Sequence, residues 1–398
     1  PHWRSAVHNE TIRKLSSLNA VPKRLLGAVG GYVASLALAA KKHTFKAAAE
    51  MAGLDESRIS AAMNLAQMPE ISRSVLNRSV RRRLRRFKRL EDRLVFIVDG
   101  TIVGRRGKGV ENAGKHHSGS GFVWGHRFVN FVLLGADSVL PLASEPIYSE
   151  RYARENGLKR RTEIEIVVDW IQGLGSTFSG EALHSALFLF DSGYDAKAIQ
   201  HAVKGVGADF VMSLKSSRAV NGTSVRDFFW RTRRWLKNQT IRLNAGSGKK
   251  RARRTFSVRA AHEANLKGFG LVTAVCSVAE SRRGKPKKYL ATSDLEMSPR
   301  DVLRWYAMRW RIETWHREMK QGFGFVDCRA RRFSALESHV RFTLTAYVLQ
   351  REAGAAQITR GEHELRKAMK SIKAEANKFG SGEALRSRLL AAVQDIAA

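Results

Sequence analysis

The stretch Leu94-Val95-Phe96-Ile97-Val98-Asp99 is a continuous apolar run that ends in a carboxylate. Such a short run, rich in β-branched residues, is typical of a strand buried on both faces. A second run, Ala186-Leu187-Phe188-Leu189-Phe190, is also followed directly by an acid, Asp191. A carboxylate at the end of a buried strand is costly unless it is paired, hydrogen-bonded or bound to a metal. The sequence therefore predicts two buried strands that each end at a functional aspartate.

The elements around these two strands predict a mixed α/β core. Their order is β-β-β-α-β-α-β, which is the order of an RNase H-like fold, a mixed sheet flanked by helices. In that order the first and fourth strands lie side by side, so their terminal acids would converge. A glycine- and histidine-rich loop is expected at 104–125. The remaining predicted elements are strands at 128–134, 139–142 and 209–214 and helices at 162–174 and 195–204.

A third acid, Glu313, lies in the stretch WYAMRWRIETWHREMK, residues 305–320. We expect one continuous helix here, because Ser298 and Pro299 are favourable starting residues and Gly322 is a favourable stop. At about 100° per residue, four side chains form a polar stripe roughly 60° wide. The stripe consists of Tyr306, Arg309, Glu313 and Lys320, beside an apolar face of Met308, Ile312, Trp315 and Met319.

The net charge of +34 indicates a polyanionic partner. Nucleic acid is favoured, because lysine and arginine neutralise phosphates. A membrane is not expected, since the sequence has no apolar run of about 20 residues, no lipidation motif and no signal peptide. The two cysteines lack metal-ligand spacing and fit a reducing cytoplasm. Residue 1 is proline and not methionine, so we expect the natural N-terminus to lie upstream of this sequence.

Residues 1–90 read as an all-helical N-terminal domain. The segment closes with Val80–Leu90, where apolar residues form a helical seam among seven cations. We expect Arg82, Arg85 and Arg86 to contact DNA. The alternative is a solvated basic helix.

Residues 216–290 read as a basic, β-rich insertion between the fifth strand and the Glu313 helix. They contain 19 Lys and Arg against three acids. Arginines here alternate with four aromatic residues, Phe228, Phe229, Trp230 and Trp235. Aromatic rings interleaved with cations can stack on unpaired bases, and Trp230 and Trp235 are the candidates. The alternative is that these aromatics form the core of a small β-subdomain. Further helices are expected at 361–373 and 382–396.

Three convergent carboxylates repel one another strongly, and a divalent cation is the usual resolution. Oxygen ligands suit Mg²⁺ or Mn²⁺. Two such ions about 3.5–4 Å apart can activate a water or a 3′-hydroxyl for phosphodiester chemistry.

The spacing Tyr-x2-Arg-x3-Glu-x6-Lys, satisfied by Tyr306, Arg309, Glu313 and Lys320, resembles the signature of the IS4-like bacterial DDE transposases. Together with the two aspartate-terminated strands, the resemblance covers residues 94–350. It implies an RNase H-like catalytic domain, residues 91–215 and 291–352, interrupted by the insertion 216–290. The resemblance does not extend to the termini, where we expect the helical domain 1–90 and a C-terminal helical region 353–398.

This resemblance implies cut-and-paste transposition of an insertion sequence by a magnesium-dependent endonuclease. Asp99, Asp191 and Glu313 would hold the metals, and the resemblance implies two ions. Hydrolysis would free a 3′-hydroxyl at the element end, and that hydroxyl would attack the second strand or the target DNA. The partners would be double-stranded DNA, at the terminal inverted repeats and the target, and a second subunit in a homodimer. The expected location is the bacterial cytoplasm, at the nucleoid.

The same resemblance assigns the phosphate contacts near the cleaved end to Tyr306, Arg309 and Lys320. An insertion-domain tryptophan would stack on a displaced base, and either Trp230 or Trp235 could serve.

Other readings remain open. His116, His117 and His126 could be metal ligands, although loop histidines near DNA are more often phosphate contacts or merely exposed. Asp195 follows Asp191 closely, but we expect it to cap the next helix. The alternative functions are another RNase H-like metal nuclease or integrase, and an inactive, transposase-derived DNA-binding protein.

Overall fold

The computed structural model divides the chain into two units, residues 1–346 and 347–398. In the second unit only the end of a helix that spans Phe333–Glu352 is described. The predicted helices at 361–373 and 382–396, and the predicted region 353–398, lie outside the described residues. The structure describes residues 2–38, 43–105, 107, 109–118, 121–136, 138–245, 252–280 and 287–352.

The first 90 residues are helical, as predicted. Their helices are α1 (His2–Ser17), α2 (Leu26–Leu38), α3 (Phe45–Ala52), α4 (Glu56–Met63) and α5 (Met68–Leu84). Val29, Val33 and Val75 are almost completely buried and form part of their apolar interior. The Thr44 hydroxyl caps the start of α3, and Gly53 closes the helix at a φ of 63°. None of the helices in the described ranges is long and apolar enough to cross a membrane.

The basic helix predicted to reach residue 90 is too long, because α5 ends at Leu84. The chain then turns at Glu91 and Asp92, whose φ angles are 53° and 56°. Leu90 bridges to Arg93 across this turn. Left-handed backbone is incompatible with a right-handed helix, and this turn directs the chain into the first strand.

The described part of the first unit contains one twelve-stranded mixed sheet. Its strands are β1 (Val95–Gly104), β2 (Gly114–Ser118), β3 (Gly121–Leu134), β4 (Val139–Pro146), β5 (Leu187–Phe190), β6 (Asp209–Ser213), β7 (Ala219–Val220), β8 (Thr223–Ser224), β9 (Gln239–Ala245), β10 (Ala252–Leu266), β11 (Gly270–Ala279) and β12 (Lys288–Thr292). The order is β2-β3-β1-β5-β6-β12-β11-β10-β7-β8, with β4 paired to β3 and β9 to β10. β5 is parallel to both β1 and β6, and the predicted pairing of the first and fourth core strands is present.

The sheet is flanked by helices on both faces, which agrees with the predicted RNase H-like fold. Trp170 stacks on Phe131 of β3 with ring centroids 4.2 Å apart. The preceding residue of the strand, Asn130, contacts His316. Because successive strand residues point to opposite faces, the helices that carry Trp170 and His316 lie on opposite sides. The remaining helices are α6 (Glu150–Glu155), α7 (Glu163–Gln172), α8 (Gly180–His184), α9 (Lys197–Gly205), α10 (Val225–Arg231), α11 (Pro299–Met308), α12 (Trp310–Gly322) and α13 (Phe333–Glu352).

The predicted loop at 104–125 is wrong in part, because β2 and the start of β3 form a hairpin there. Its glycines have a packing role. Gly125 pairs with Gly104 on one side and Gly114 on the other. A Cβ at Gly125 would lie 2.1 Å from the Val103 carbonyl oxygen. The glycine content therefore reflects close contact between strands rather than an irregular loop.

The strands of the insertion extend the central sheet. β12 pairs with β6 of the predicted core and with β11 of the predicted insertion. Each strand from β1 to β10 in the sheet order is therefore hydrogen-bonded to the next, without a break between the core and the insertion. The division into separate domains at 216 and 290 stays a prediction.

The single helix predicted around Glu313 is wrong, because α11 and α12 meet at a joint on Arg309. The Arg309 N–H donates to the Tyr306 carbonyl, and the Ile312 N–H donates to the Arg309 carbonyl, both at 3.2 Å. These three-residue hydrogen bonds give a tighter turn than the α-helical repeat.

Buried hydrogen bonds tie the N-terminal helices to the chain that follows α12. The Tyr32 hydroxyl lies 2.6 Å from Nδ1 of His339, whose Nε2 lies 2.8 Å from the Gly324 carbonyl oxygen. Nearby, Nδ1 of His43 is 2.8 Å from Oδ2 of Asp327. Both histidines are almost completely buried, so the helical region and the sheet region share a polar interior contact.

Candidate active site

Asp99 and Asp191 are brought together by the register of two parallel strands. Ile97 of β1 pairs with Leu189 of β5, and each aspartate lies two residues further on. Equal steps along adjacent strands keep their backbones about 5 Å apart. Asp191 directly follows β5, but Asp99 lies inside β1, which continues to Gly104 through its pairing with β3. The predicted strand end at Asp99 is therefore wrong, although the pairing with β5 does stop before it.

Asp99 is a largely buried carboxylate. Burial is the main cause that raises the pKa of Asp99 to about 7. Repulsion from Asp191 and Glu313 raises it further, while Arg309 and the Gly100 N–H, which donates to Oδ1 at 2.9 Å, lower it. The three predicted acids are therefore within electrostatic reach of one another. Keeping all of them ionised requires added positive charge.

Asp191 is oriented by the turn that follows β5. Its Oδ1 accepts the Gly193 N–H at 2.7 Å. A Cβ at Gly193 would lie 3.0 Å from the same oxygen, so glycine gives the carboxylate room. The side chain is thus held by its own backbone turn.

Glu313 is presented by a helix whose opposite face is firmly buried. Ile312, Trp315 and Met319 are each at most 1% exposed, which confirms the predicted apolar face at these positions. The Arg309 guanidinium donates from Nη2 to Oε1 of Glu313 at 2.6 Å. The arginine side chain is only 12% exposed. Glu313 is therefore neutralised by a nearly buried cation from the helix joint.

Tyr306 and Lys320 complete the predicted polar stripe. The Arg309 guanidinium carbon is 5.8 Å from the centroid of the Tyr306 ring, and the Lys288 ammonium is 4.9 Å from it. Burial lowers the pKa of Lys320, and the Asp99 carboxylate partly offsets this effect. The stripe, Asp99 and Asp191 thus form one cluster.

Residues 156–349 match the family model of the transposase DDE domain. The match covers just under half of the chain. It includes Asp191 and Glu313 and begins after Asp99. It supports a DDE transposase family, and with it a transposase function. No curated protein matches the chain.

DDE transposases generally use divalent metal ions, and the donor atoms here fit such ions by their chemistry. The acids offer carboxylate oxygens, which Mg²⁺ and Mn²⁺ prefer. The buried Oδ1 of Asn130 has no hydrogen-bond partner among the residues that the structure describes. Within the described ranges, no group of three or more His, Cys, Asp or Glu is arranged to hold a metal ion. Glu313 is paired with Arg309 instead. An ion shared by all three acids would therefore have to compete with Arg309.

Asn130 and His316 touch this site and were not predicted. Asn130 pairs with Asp99 across the β1–β3 ladder, and its Nδ2 lies 3.0 Å from Nε2 of His316. Nδ1 of His316 is 3.8 Å from Oδ2 of Asp99. Burial, with the nearby cations Lys320 and Arg309, lowers the pKa of His316 to about 3. A neutral imidazole therefore faces Asp99. One signal was in the sequence, since His316 lies one helical turn after Glu313.

A fourth carboxylate, Glu163, was also missed. Its Oε2 pairs with Nη2 of Arg127 at 2.7 Å, and its Oε1 accepts the Tyr194 hydroxyl at 2.7 Å. A Cβ at Gly100 would lie 2.7 Å from Oε1 of Glu163. The glycine that follows Asp99 therefore makes room for this ion pair.

Asp195 does not cap the next helix, so that prediction is wrong. It is buried, lies 3.3 Å from Nε of Arg218 and accepts the Lys215 N–H at 3.2 Å. Residue 196 occupies the cap position of α9 without a side-chain bond. Asp195 is thus an internal structural acid.

Two of the candidate histidines have structural partners. Nε2 of His126 lies 2.8 Å from the Glu111 carbonyl oxygen, and Nε2 of His116 lies 3.1 Å from the Gly125 carbonyl oxygen. Burial lowers the pKa of His126 to about 4. His117 is exposed and packs edge-on against Phe122.

The aromatic residues of α10 and the turn after it divide into core and surface. Phe229 is 4% exposed and stacks on Tyr289. Trp230 and Trp235 are 58% and 80% exposed. The core interpretation thus fits Phe229, and the two tryptophans are available to a partner. Trp230 also lines an open cavity of about 640 Å³ with Ser216, Arg226, Asp227, Lys287 and Tyr289.

The three predicted arginines at the end of the helical region differ in exposure. Arg85 and Arg86 are exposed in the turn after α5. Arg82 is partly buried, and its Nη1 donates to the Ser17 hydroxyl at 3.0 Å. Part of this arginine's hydrogen-bonding capacity is therefore used inside the helical region.

Proposed function

We propose that this chain is an IS4-like transposase that moves an insertion sequence by cut-and-paste transposition. The observation that carries the proposal is the shared register of β1 and β5, beyond which Asp99 and Asp191 lie side by side within electrostatic reach of Glu313. The match to a transposase DDE domain supports the same reaction class.

Asp99, Asp191 and Glu313 are proposed as the catalytic acids and the ligands of two Mg²⁺ or Mn²⁺ ions. When bound, such ions polarise the attacking and leaving oxygens of a phosphodiester. The chain itself fixes the carboxylates: Gly193 orients Asp191, and the ladder with β3 orients Asp99. The reaction hydrolyses one strand at the element end, and the 3′-hydroxyl produced then attacks a second phosphodiester.

Tyr306, Arg309 and Lys320 are proposed to contact phosphates beside the cleaved bond. Arg309 and Lys320 lie close to Asp99 and are poorly exposed. A phosphate entering this cluster would meet positive charge at short range, where little water screens it. Their charges also oppose the mutual repulsion of the acids.

Trp230 and Trp235 are proposed to stack on a base displaced near the cleaved end. Trp230 is the better placed, because it lines a cavity with a cation and a second ring, Lys287 and Tyr289. Lys288, between them in sequence, lies over Tyr306. β12 therefore connects the surface around Trp230 with the polar stripe.

The N-terminal helices are proposed to bind the terminal inverted repeats, with Arg85 and Arg86 as exposed phosphate contacts and Arg82 as a partial one. Two ends must be cut together, so we propose a homodimer on double-stranded DNA. The substrate implies action in the bacterial cytoplasm, at the nucleoid.

Cleavage of DNA is the direct test. The protein is incubated with duplex carrying the terminal repeat that flanks its coding sequence, with Mg²⁺ or Mn²⁺, and nicked product is resolved on a denaturing gel. Wild type should nick at the element boundary, and Asp191→Asn should bind equally but not nick. Asp169→Asn is the matched control, since this aspartate is half exposed and pairs only at the surface with Arg161.

Two results would overturn the proposal. Binding without nicking by wild type favours an inactive DNA-binding protein. Equal nicking by wild type and Asp191→Asn removes the assigned site. A salt titration gives an independent check, because binding through many phosphates weakens steeply as salt rises.

A further inference from the structure

The β2–β3 hairpin exposes two large aromatic side chains. Phe122 is 65% and Trp124 is 52% exposed. Exposed aromatic rings are expected at sites that receive a partner, since each ring keeps a large apolar area in water. Neither ring has a role in the function proposed above.

The two rings share one face of the hairpin with a cation and an imidazole. Lys115 pairs with Trp124 and His117 pairs with Phe122 across the ladder, so the four side chains point to the same side. The Lys115 ammonium lies 4.1 Å from the centroid of the Phe122 ring. We call these four residues the hairpin face. Its combination of rings and positive charge suits DNA, because apolar side chains can insert between base steps and a cation attracts the adjacent phosphates.

The hairpin face continues the side of the sheet that carries Asp99. Asp99 pairs with Asn130, and the register between β1 and β3 is unbroken from there to Gly125. Along β3, alternate residues share a face, so Trp124 and Phe122 are on the same side as Asn130 and the Asp99 carboxylate. At about 3.3 Å per residue, the rings lie roughly 20–26 Å from the catalytic end.

The base of the hairpin is firmly held. Gly104, Gly125 and Gly114 align across three strands, and this allows the backbones to approach closely. The Arg105 N–H donates to the Trp124 carbonyl at 2.8 Å. The hairpin face is therefore fixed in direction rather than carried on an irregular loop.

We propose that the hairpin face is a second DNA-binding site, which inserts Phe122 and Trp124 between bases of the duplex beside the cleaved bond. At 3.4 Å per base pair, the contact falls about six to eight base pairs from that bond. Lys115 supplies a phosphate contact. The occupant is DNA because the face is cationic, lies on the catalytic side of the sheet and belongs to a chain with a net charge of +34. This proposal rests on the proposed transposase function.

The test compares DNA length. Binding is measured by fluorescence anisotropy with terminal-repeat duplexes that keep about 15 or only about 4 base pairs on each side of the cleaved bond, lengths chosen from the 3.4 Å rise. The variant Phe122→Ala/Trp124→Ala should bind the long duplex at least about 30-fold more weakly than wild type, as for loss of two ring–base contacts. Both proteins should bind the short duplex equally.

Controls separate this effect from misfolding. Leu158→Ala removes another exposed apolar side chain, 40% exposed, and should bind both duplexes like wild type. The conservative variant Phe122→Tyr/Trp124→Phe keeps the rings and should restore binding to the long duplex. In a long duplex with 2-aminopurine six to eight base pairs from the cleaved bond, wild type but not the alanine variant should change the fluorescence.

Equal binding of the long duplex by wild type and the alanine variant would overturn the hairpin site while leaving the transposase function intact. So would a change in DNA-free oligomeric state by sedimentation in the alanine variant alone, which would assign the face to a second copy of the chain. If wild type binds but never nicks the long duplex, the proposed function fails instead.

Discussion

Arg309 and Arg233 both lie beside an aromatic ring, but their surroundings differ. Arg309 is 5.8 Å from the Tyr306 ring, only 12% exposed, and bonded to Glu313. Arg233 is 4.3 Å from the Trp230 ring, and both members of that pair are exposed. In the proposed catalytic site, the cations thus balance the site's own carboxylates. The insertion directs cations and rings outward, where a polyanion can reach them.

The largest difference between these regions should be in reaction rate. Asp191→Asn is expected to lower the nicking rate by about a thousandfold or more, since about 4 kcal/mol of transition-state stabilisation corresponds to that factor. Affinity for terminal DNA should change little. Single-turnover nicking and anisotropy measure the two quantities separately. A comparable loss of affinity would show that the acid supports binding rather than chemistry.

Alanine substitution at two neighbouring aromatic residues of α10 should affect different properties, stability at one and DNA binding at the other. Phe229→Ala should lower the free energy of unfolding by about 3–4 kcal/mol, because the ring is buried. Trp230→Ala should leave stability nearly unchanged but weaken binding by about 1–3 kcal/mol if it stacks on a base. Urea unfolding and DNA titration of both variants make the comparison. Equal destabilisation would mean that Trp230 belongs to the core.

Acid should weaken the contact between the helical region and the sheet region. Burial lowers the pKa of His339 to about 4, while an unfolded histidine titrates near 6.5. The stabilising contribution is therefore complete above pH 6.5 and falls, by up to about 3 kcal/mol, as the pH decreases towards 4.

His339→Gln removes this titration. Urea unfolding at pH 7 and pH 5 should show the variant less stable at pH 7 but with a smaller loss on acidification than wild type. His126 and His316 keep their own acid sensitivity in both proteins, so the slope should decrease rather than vanish. Parallel pH profiles would contradict the assignment to His339.

The smallest effect is expected from a conservative change at the helix joint. Arg309→Lys keeps the charge beside Glu313 but loses the planar fork of the guanidinium. Nicking should fall about tenfold, or about 1.4 kcal/mol. Arg233→Lys is the exposed counterpart and should leave nicking unchanged. An equal loss in both variants would remove the distinction between internal and outward-facing arginines.

Much of the central sheet could be predicted because short apolar runs of strand length fit few secondary structures other than a buried strand. β1 and β5 were located within a few residues, and their parallel pairing followed from the order of elements. The exact end of β1 could not be predicted, because its two pairings end at different residues. The pairing with β5 ends before Asp99, and the pairing with β3 continues beyond it.

The rest of the site depends on contacts between distant residues. Asn130 and His316 are 186 positions apart, and no local pattern fixes which strand residue meets which helix residue. The joint at Arg309 was also hidden, because its φ and ψ remain in the right-handed helical region and its neighbours are good helix formers. The β2–β3 hairpin was mistaken for a loop because glycine-rich strands and loops have similar composition.

The unbroken series of paired strands from β1 to β10 has a mechanical consequence. A base held between Trp230 and Tyr289 of β12, and a phosphate held beside Asp99 of β1, would both lie against strands of a single hydrogen-bonded sheet. Such a sheet resists stretching in the direction of its hydrogen bonds between strands, so it would keep the distance between the base and the phosphate constant. The spacing between a displaced base and the cut would then be set by the width of the strands between them, about 4.8 Å each.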